Sequence, residues 1–275
     1  MGRKLIPTFG RRGRGKMRIV MGLIVVIFSL VSYFGSKEYN PVTGENQYIS
    51  LTKQQEIALG LQAAPKMIQK HGGLYPDQRH QALIDKVGGK LVRDSAAGNT
   101  KWQFEFHLLN DPKTINAFAL PGGQVFITTA LYSRFSTAGQ LAGVLGHEIG
   151  HVIARHSAQR MAKSKLTNGL TDAVVVASGD ARTGQAAAVV GQMINMKYGR
   201  DDELESDRLG VRFMADAKYD PRAMIKVMEI LAKSRSGNAP PEFFSTHPNP
   251  ENRIGKIRKA IREIFPNGVP SGLKQ

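Results

Sequence analysis

Residues 137–153, TAGQLAGVLGHEIGHVI, decide how this chain is read. Leu141, Val144, Leu145, Ile149, Val152 and Ile153 recur at helical spacing, which predicts a helix over about 137–162. On that helix His147 and His151 stand four residues apart, on one face, with Cβ atoms roughly 5–6 Å apart. Two imidazoles so placed can converge on one Zn²⁺ at about 2.0–2.1 Å. Glu148 is turned about 100° around the helix. It is poorly placed as a third ligand and well placed to hold and deprotonate a water. Gly146 and Gly150 flank the pair and leave room for a substrate or a second helix. The plainer reading makes both histidines polar positions on an amphipathic helix; the glutamate beside the first of them favours the metal.

A catalytic zinc takes three protein ligands and keeps a fourth position open. The chain has no Cys, so every ligand must be His or a carboxylate. The run Arg200-Asp201-Asp202-Glu203-Leu204-Glu205-Ser206-Asp207 offers Glu203 and Asp207 at i and i+4 of a predicted helix over 201–217. One carboxylate can bind the metal while the other accepts a hydrogen bond from a ligand His and fixes its tautomer. Spacing alone equally allows a solvated acidic face, and Asp201, Asp202 and Glu205 read as its solvated members.

Around these segments the pattern is mostly helical. Thr52 with Gln55 resembles a capping box opening a helix to about Gln69, and a second helix runs from about Asp77 to Asp94. Strands are expected at Gln103–Leu108, Ala117–Leu120 and Gln124–Thr128, with a turn at Pro121-Gly122-Gly123. Further helices are expected over 169–196, 221–233 and 250–264. The expectation is an α+β, mainly α domain. Collagen, coiled-coil, repeat and disordered readings fail on 41% hydrophobic residues without heptads or period.

The charge is uneven: 38 Lys plus Arg against 22 Asp plus Glu, with seven cations and no acid in residues 1–18. No aromatic-interleaved basic stripe points to nucleic acid, and none is expected as a partner; anionic lipid fits better. Ile19–Gly35, IVMGLIVVIFSLVSYFG, carries no charge and as a helix spans about 25 Å, close to a hydrocarbon core. It reads as an uncleaved signal anchor rather than a cleaved signal peptide, with residues 1–18 cytoplasmic by the positive-inside rule. An Arg-rich, acid-free start also matches a transit peptide. The expected division is 1–18 basic segment, 19–35 anchor, 36–49 tether, 50–266 domain carrying the His147 helix and 267–275 tail. Of the other histidines, His71, His80 and His107 are expected at the surface. His156, five beyond His151, is expected off the metal-facing side.

The chain resembles the zinc metallopeptidases that include the HtpX heat-shock protease, the CAAX prenyl protease and the periplasmic BepA and LoiP proteases. The resemblance is carried by Asn40-Pro41-Val42-Thr43-Gly44, Asn116-Ala117-Phe118-Ala119-Leu120-Pro121-Gly122-Gly123, the HEIGH helix through Arg155-His156, Arg200/Glu203/Asp207, and Ser245-Thr246-His247-Pro248. It covers nearly all of residues 40–264. Ser206 departs from the family's usual Ala before the Asp. The resemblance implies a zincin-type domain with a small sheet edging the active-site cleft, and one Zn²⁺ held by His147, His151 and Glu203. It also implies Glu148 as general base and Asp207 as the group that orients a ligand. The strand at Asn116, Ala117, Phe118 and Ala119 would hold substrate as an added β-strand. His247, in a Pro/Gly/Asn-rich loop, would occupy or cover the fourth zinc position at rest, or else be a solvated turn residue. Arg200 would polarise the oxyanion or pair with Asp201 or Asp207. The function expected is hydrolysis of misfolded envelope proteins, in the single-domain, membrane-tethered branch, from a bacterial inner membrane with the catalytic domain periplasmic. The competing reading is a zinc-stabilised, chaperone-like binder that rarely cuts.

Overall fold

The computed structural model describes residues 11–178, 198–234 and 241–275. These fall into two compact units. The first holds residues 11–39, 46–50 and 159–178; the second holds 40–45, 51–158, 198–234 and 241–275.

In the first unit, helix α1 (Arg11–Phe34) includes a stretch, Gly15–Phe34, of mean hydropathy 2.2 that is long and apolar enough to cross a membrane. Tyr33 stacks on Tyr48 at 4.9 Å and Phe34 meets the same ring edge-on at 5.8 Å. Within this unit a Cβ on Gly169 would lie 2.3 Å from Ser29 Oγ, so glycine there lets the segment from Gln159 approach α1 closely. Residues 36–49 do not form a plain tether. Strands β1 (Lys37–Asn40) and β2 (Glu45–Tyr48) pair as a hairpin, because Asn40 Oδ1 accepts from the Val42 amide at 3.0 Å and Gly44 supplies φ = 77°.

The second unit combines helices with one three-stranded sheet. Helix α2 (Lys53–Lys70) opens with the expected box: Gln55 N donates to Thr52 Oγ1 at 3.2 Å and Thr52 N to Gln55 Oε1 at 2.8 Å. Helix α3 (Gln78–Arg93) buries Ile84, Val87 and Leu91, whereas Leu83, which the same period groups with them, is 39% exposed. Strands β3 (Glu105–Leu109), β4 (Ala117–Ala119) and β5 (Gln124–Thr128) form one sheet in the order β3-β5-β4. β5 runs parallel to β3, with Glu105 opposite Gln124, and antiparallel to β4, with Phe118 opposite Phe126. β5 is buried along its whole length. β4 is an edge strand, and among the described residues no other strand pairs with it.

A helical turn, α4 (Thr129–Tyr132), leads to α5 (Ala138–Ile153), buried from Gly139 to Ile153 because its sequence is apolar nearly all round. The single helix expected over 137–162 is broken. Arg155 takes φ = 54°, a left-handed conformation rare outside glycine, and a separate helix, α6 (His156–Ser178), begins after it. Arg155 is held in place by its own side chain: Nε donates to Glu56 Oε1 at 2.9 Å and Nη2 to the Leu51 carbonyl at 2.9 Å. The Trp102 ring lies beneath this clasp, 5.7 Å from Arg155 Cζ and 5.6 Å from Lys53 Nζ. α6 also runs through 163–168, where a break was expected; the remainder of the 169–196 expectation, from 179 on, lies outside the described residues.

Helices α7 (Arg200–Asp216), α8 (Arg222–Lys233), a turn α9 (Phe243–Thr246) and α10 (Arg253–Ile264) complete the unit. α7 crosses α5 with almost no side chain between them. A Cβ on Gly150 would lie 3.0 Å from Ser206 O, and one on Gly210 would lie 3.0 Å from His147 N.

Candidate functional site

The close approach of α5 and α7 brings their polar residues together in the protein interior. His147 and His151 turn their Nε2 atoms to within 3.0 Å of each other. Glu203 reaches between them, Oε2 3.5 Å from His147 Nε2 and Oε1 3.4 Å from His151 Nε2. His247, following α9, brings Nδ1 to 3.0 Å from Glu203 Oε1 and 3.4 Å from His147 Nε2. One ligand atom from each of these four residues lies within 4.8 Å of the others.

The neighbours of the two histidines assign their protons. His147 Nδ1 faces Asp207 Oδ1 at 2.9 Å, so Nδ1 carries a hydrogen and donates. His151 Nδ1 faces His156 Nδ1 at 2.9 Å, and His156 Nε2 faces Glu205 Oε2 at 3.0 Å. Hydrogens then run from His151 to His156 to Glu205. Both Nε2 atoms are left with lone pairs pointed at one another, an arrangement that a cation between them satisfies. The donor set, two imidazoles and a carboxylate with a third imidazole beside them, fits a metal ion. Without one, a proton takes its place: burial pulls His147 down, but hydrogen bonds to Asp207 and Glu203 outweigh it and hold the imidazole at about 9. Burial drives His151 well below its ordinary value.

His156 stays off the metal-facing side, as expected, and hydrogen-bonds locally, behind His151 at its Nδ1. Restarting the helix returns its ring to His151, where it is 1% exposed. Glu205 is half-buried against it rather than solvated, and Ser206, the departure from the family pattern, places Oγ 3.3 Å from His156 Nδ1.

Glu148 is fully buried, and among the described residues neither carboxylate oxygen has a hydrogen-bond partner. Burial raises its pKa, and the charge on His247, whose Nε2 lies 3.6 Å from Oε1, opposes the rise. The solvated-turn alternative for His247 fails, since the residue is 0% exposed and stacks on Phe243 at 4.5 Å. Tyr198 covers the other side, stacked on His151 at 3.8 Å, with its amide bonded to the Thr246 carbonyl at 3.0 Å.

One residue of the site escaped the sequence reading. Arg253, at the start of α10, is 2% exposed and donates to both Asp207 oxygens, Nε to Oδ2 at 2.7 Å and Nη2 to Oδ1 at 2.8 Å. Its Nη1 lies 3.1 Å from Glu203 Oε2. Burial favours protonating Asp207, but Arg253 and His147 outweigh it and hold the carboxyl below its usual value. Arg200, expected to polarise the oxyanion or to pair with Asp201 or Asp207, is an exposed residue at the start of α7. Asn116, Ala117, Phe118 and Ala119 are all buried, at and just before β4.

Comparison with known proteins agrees with this geometry. The Beta-barrel assembly-enhancing protease of Escherichia coli (strain K12) is 30% identical over 251 residues, covering 87% of this chain and 50% of that protein. The Mitochondrial metalloendopeptidase OMA1 of Schizosaccharomyces pombe is 29% identical over 237 residues, covering 85% and 69%. The mitochondrial Metalloendopeptidase OMA1 of Bos taurus is 30% identical over 260 residues, covering 89% and 49%. The chain thus spans about half the length of the bacterial relative. The sequence model of peptidase family M48 matches residues 78–261, from the start of α3 to the last turns of α10, and includes all the residues gathered around His147 and His151: the chain belongs to peptidase family M48.

Proposed function

We propose that this chain is a zinc-dependent endopeptidase acting on misfolded or misassembled proteins of the bacterial envelope, tethered to the inner membrane by α1. Residues 1–18 then lie in the cytoplasm, 19–35 in the bilayer, and the unit that carries the His147 cluster in the periplasm. The observation that carries the reading is the buried convergence of His147, His151 and Glu203 beside a Glu148 carboxylate with no hydrogen-bond partner among the described residues. A two-histidine, one-glutamate set without Cys suits zinc, with the fourth position left for chemistry.

When bound, the metal supplies a Lewis acid that acidifies water and polarises a peptide carbonyl. The chain does the rest. Asp207 accepts from His147 Nδ1 and His156 from His151 Nδ1, so both Nε2 lone pairs stay directed inward. Arg253 balances the charge of Asp207 and Glu203. Glu148 takes a proton from the attacking water and returns it to the leaving amine. β4 offers its outer edge to an extended peptide. His247, closed over the cluster under Tyr198 and Phe243, belongs to a resting form and must move before substrate enters.

The full chain, purified in detergent, is expected to hold one zinc and to degrade casein. Chelation should stop the degradation and zinc should restore it. The His247→Ala chain should cut faster. Zinc-loaded chains that leave casein intact with and without that substitution would favour the chaperone-like binder instead.

His156 and Glu205 give a separate expected result. His156→Ala removes the acceptor that orients His151 and should weaken zinc binding about 10–100-fold. Competition with a chromogenic chelator reads this directly, and an unchanged affinity would leave the His151–His156–Glu205 chain without a role in metal binding.

A further inference from the structure

A second set of buried polar atoms, outside the metal cluster, lines the cleft beside β4. His71, at the C-terminal cap of α2, is 4% exposed rather than at the surface, because Asp111 draws it inward: His71 Nδ1 lies 2.9 Å from Asp111 Oδ2. Asp111 also accepts from the Lys113 and Thr114 amides at 3.0 and 2.9 Å. Burial favours its protonation, but these bonds outweigh it and hold the carboxyl at about 2, so Asp111 accepts and His71 Nδ1 donates. In neutral His71 the lone pair is then on Nε2, and that atom has no partner among the described residues.

Asn116 is 2% exposed and fixed by its backbone: its amide donates to Thr128 Oγ1 at 3.1 Å and its carbonyl accepts from Thr128 N at 3.0 Å. Its Oδ1 is likewise buried without a partner among the described residues. Both residues line one cleft, whose walls include Met67, Phe118 and Leu120. Lys70 and Glu242, also lining it, pair with each other at 3.7 Å, both partly exposed.

We infer that His71 and Asn116 form a subsite that recognises one side chain of an extended peptide laid along β4, and that this side chain is an uncharged hydrogen-bond donor, a hydroxyl or a carboxamide. Two buried acceptors with no donor call for a donor from the ligand, since leaving them bare is costly. The walls are apolar, and the one carboxylate among the lining residues, Glu242, already pairs with Lys70, so little is left to balance a cation. The bonds of Thr128 N to Asn116 O and of Leu120 N to Gln124 O alternate along β4, so Ala117 and Ala119 turn their backbone groups outward. A peptide added at that edge would send alternate side chains toward one face. This inference rests on the peptidase reading.

The test uses the full zinc-loaded chain and peptide pairs that differ only by Tyr for Phe, or Gln for Met, at each position around the cut. One position should favour the donor-bearing member by about tenfold or more in kcat/KM. His71→Leu and Asn116→Leu should each reduce that ratio toward one, while His71→Gln, whose carboxamide oxygen can replace the ring nitrogen as acceptor, should preserve part of it. Metal content serves as the folding control. The same pairs are ranked by fluorescence anisotropy on the Glu148→Gln chain. A chain that binds with this preference and never cuts refutes the peptidase reading and keeps the subsite. Cutting with no donor preference, or a preference both Leu variants retain, refutes the subsite alone. Neither binding nor cutting refutes both.

Discussion

Glu148→Gln is expected to lower the rate of peptide hydrolysis by about 10²–10⁴-fold, the range usual for a lost general base, while the chain keeps its metal. The substitution preserves shape at a position that is 0% exposed, so the packing of α5 against α7 is not disturbed. It also removes a carboxylate that burial already disfavours in its charged form, and the fold is expected to be no less stable for its loss. What disappears is the group able to accept a proton beside the metal ligands. Initial rates on casein, with metal content measured on the same samples, separate the two effects. Activity near that of the parent chain would remove Glu148 from the reaction, and loss of metal together with activity would make it a structural residue of the cluster.

The second large effect is on stability. Arg253→Met should cost about 3–5 kcal/mol in the metal-free chain, because it leaves Asp207 and Glu203 buried with their main cation gone. Methionine fills much of the side-chain volume, which keeps the loss attributable to charge. Zinc should recover part of it, since an ion held by Glu203 supplies positive charge at the same place and binding favours the folded state. Chemical denaturation with and without zinc reads both quantities. Arg200→Met, at an exposed position, should stay within about 0.5 kcal/mol. Equal losses from the two substitutions would overturn the assignment of Arg253 as partner of the acidic pair.

The parts of this site that sequence made legible are those written at short range. His147 and His151 are one helical turn apart, and a helix apolar on nearly every side can only be buried. The capping box at Thr52 and the capped stripe of α3 are equally local. Glu203 and Asp207 were found as a pair, but spacing could not rank them. Their roles separate only when Glu203 is seen to face both Nε2 atoms while Asp207 faces Nδ1 of His147. Arg253 went unnoticed because its contacts lie 46 residues away along the chain. Residue 155 carries no turn signal, since an arginine adopts left-handed backbone there only because Glu56, 99 residues away, holds its guanidinium. Reading α5 as continuous across it left the partners of His156 unnamed. His71 was placed at the surface for the same reason, its partner being 40 residues distant. A tether and a hairpin share turn-forming residues such as Asn40, Pro41 and Gly44, and the strands β1 and β2 have too few apolar residues to tell the two apart.

The chain has a single tryptophan, and Trp102 lies under the guanidinium of Arg155, just past the end of the helix that bears both ligand histidines. An indole ring changes its emission when a cation on its face departs or when water reaches it, and Trp102 is 8% exposed. Tyrosine aside, nothing else in the protein emits in that window. The protein therefore carries its own optical gauge of the Arg155–Glu56 clasp. A spectrum followed during chelation or substrate addition reads whether the end of α5 stays fixed or lets go, with no label attached.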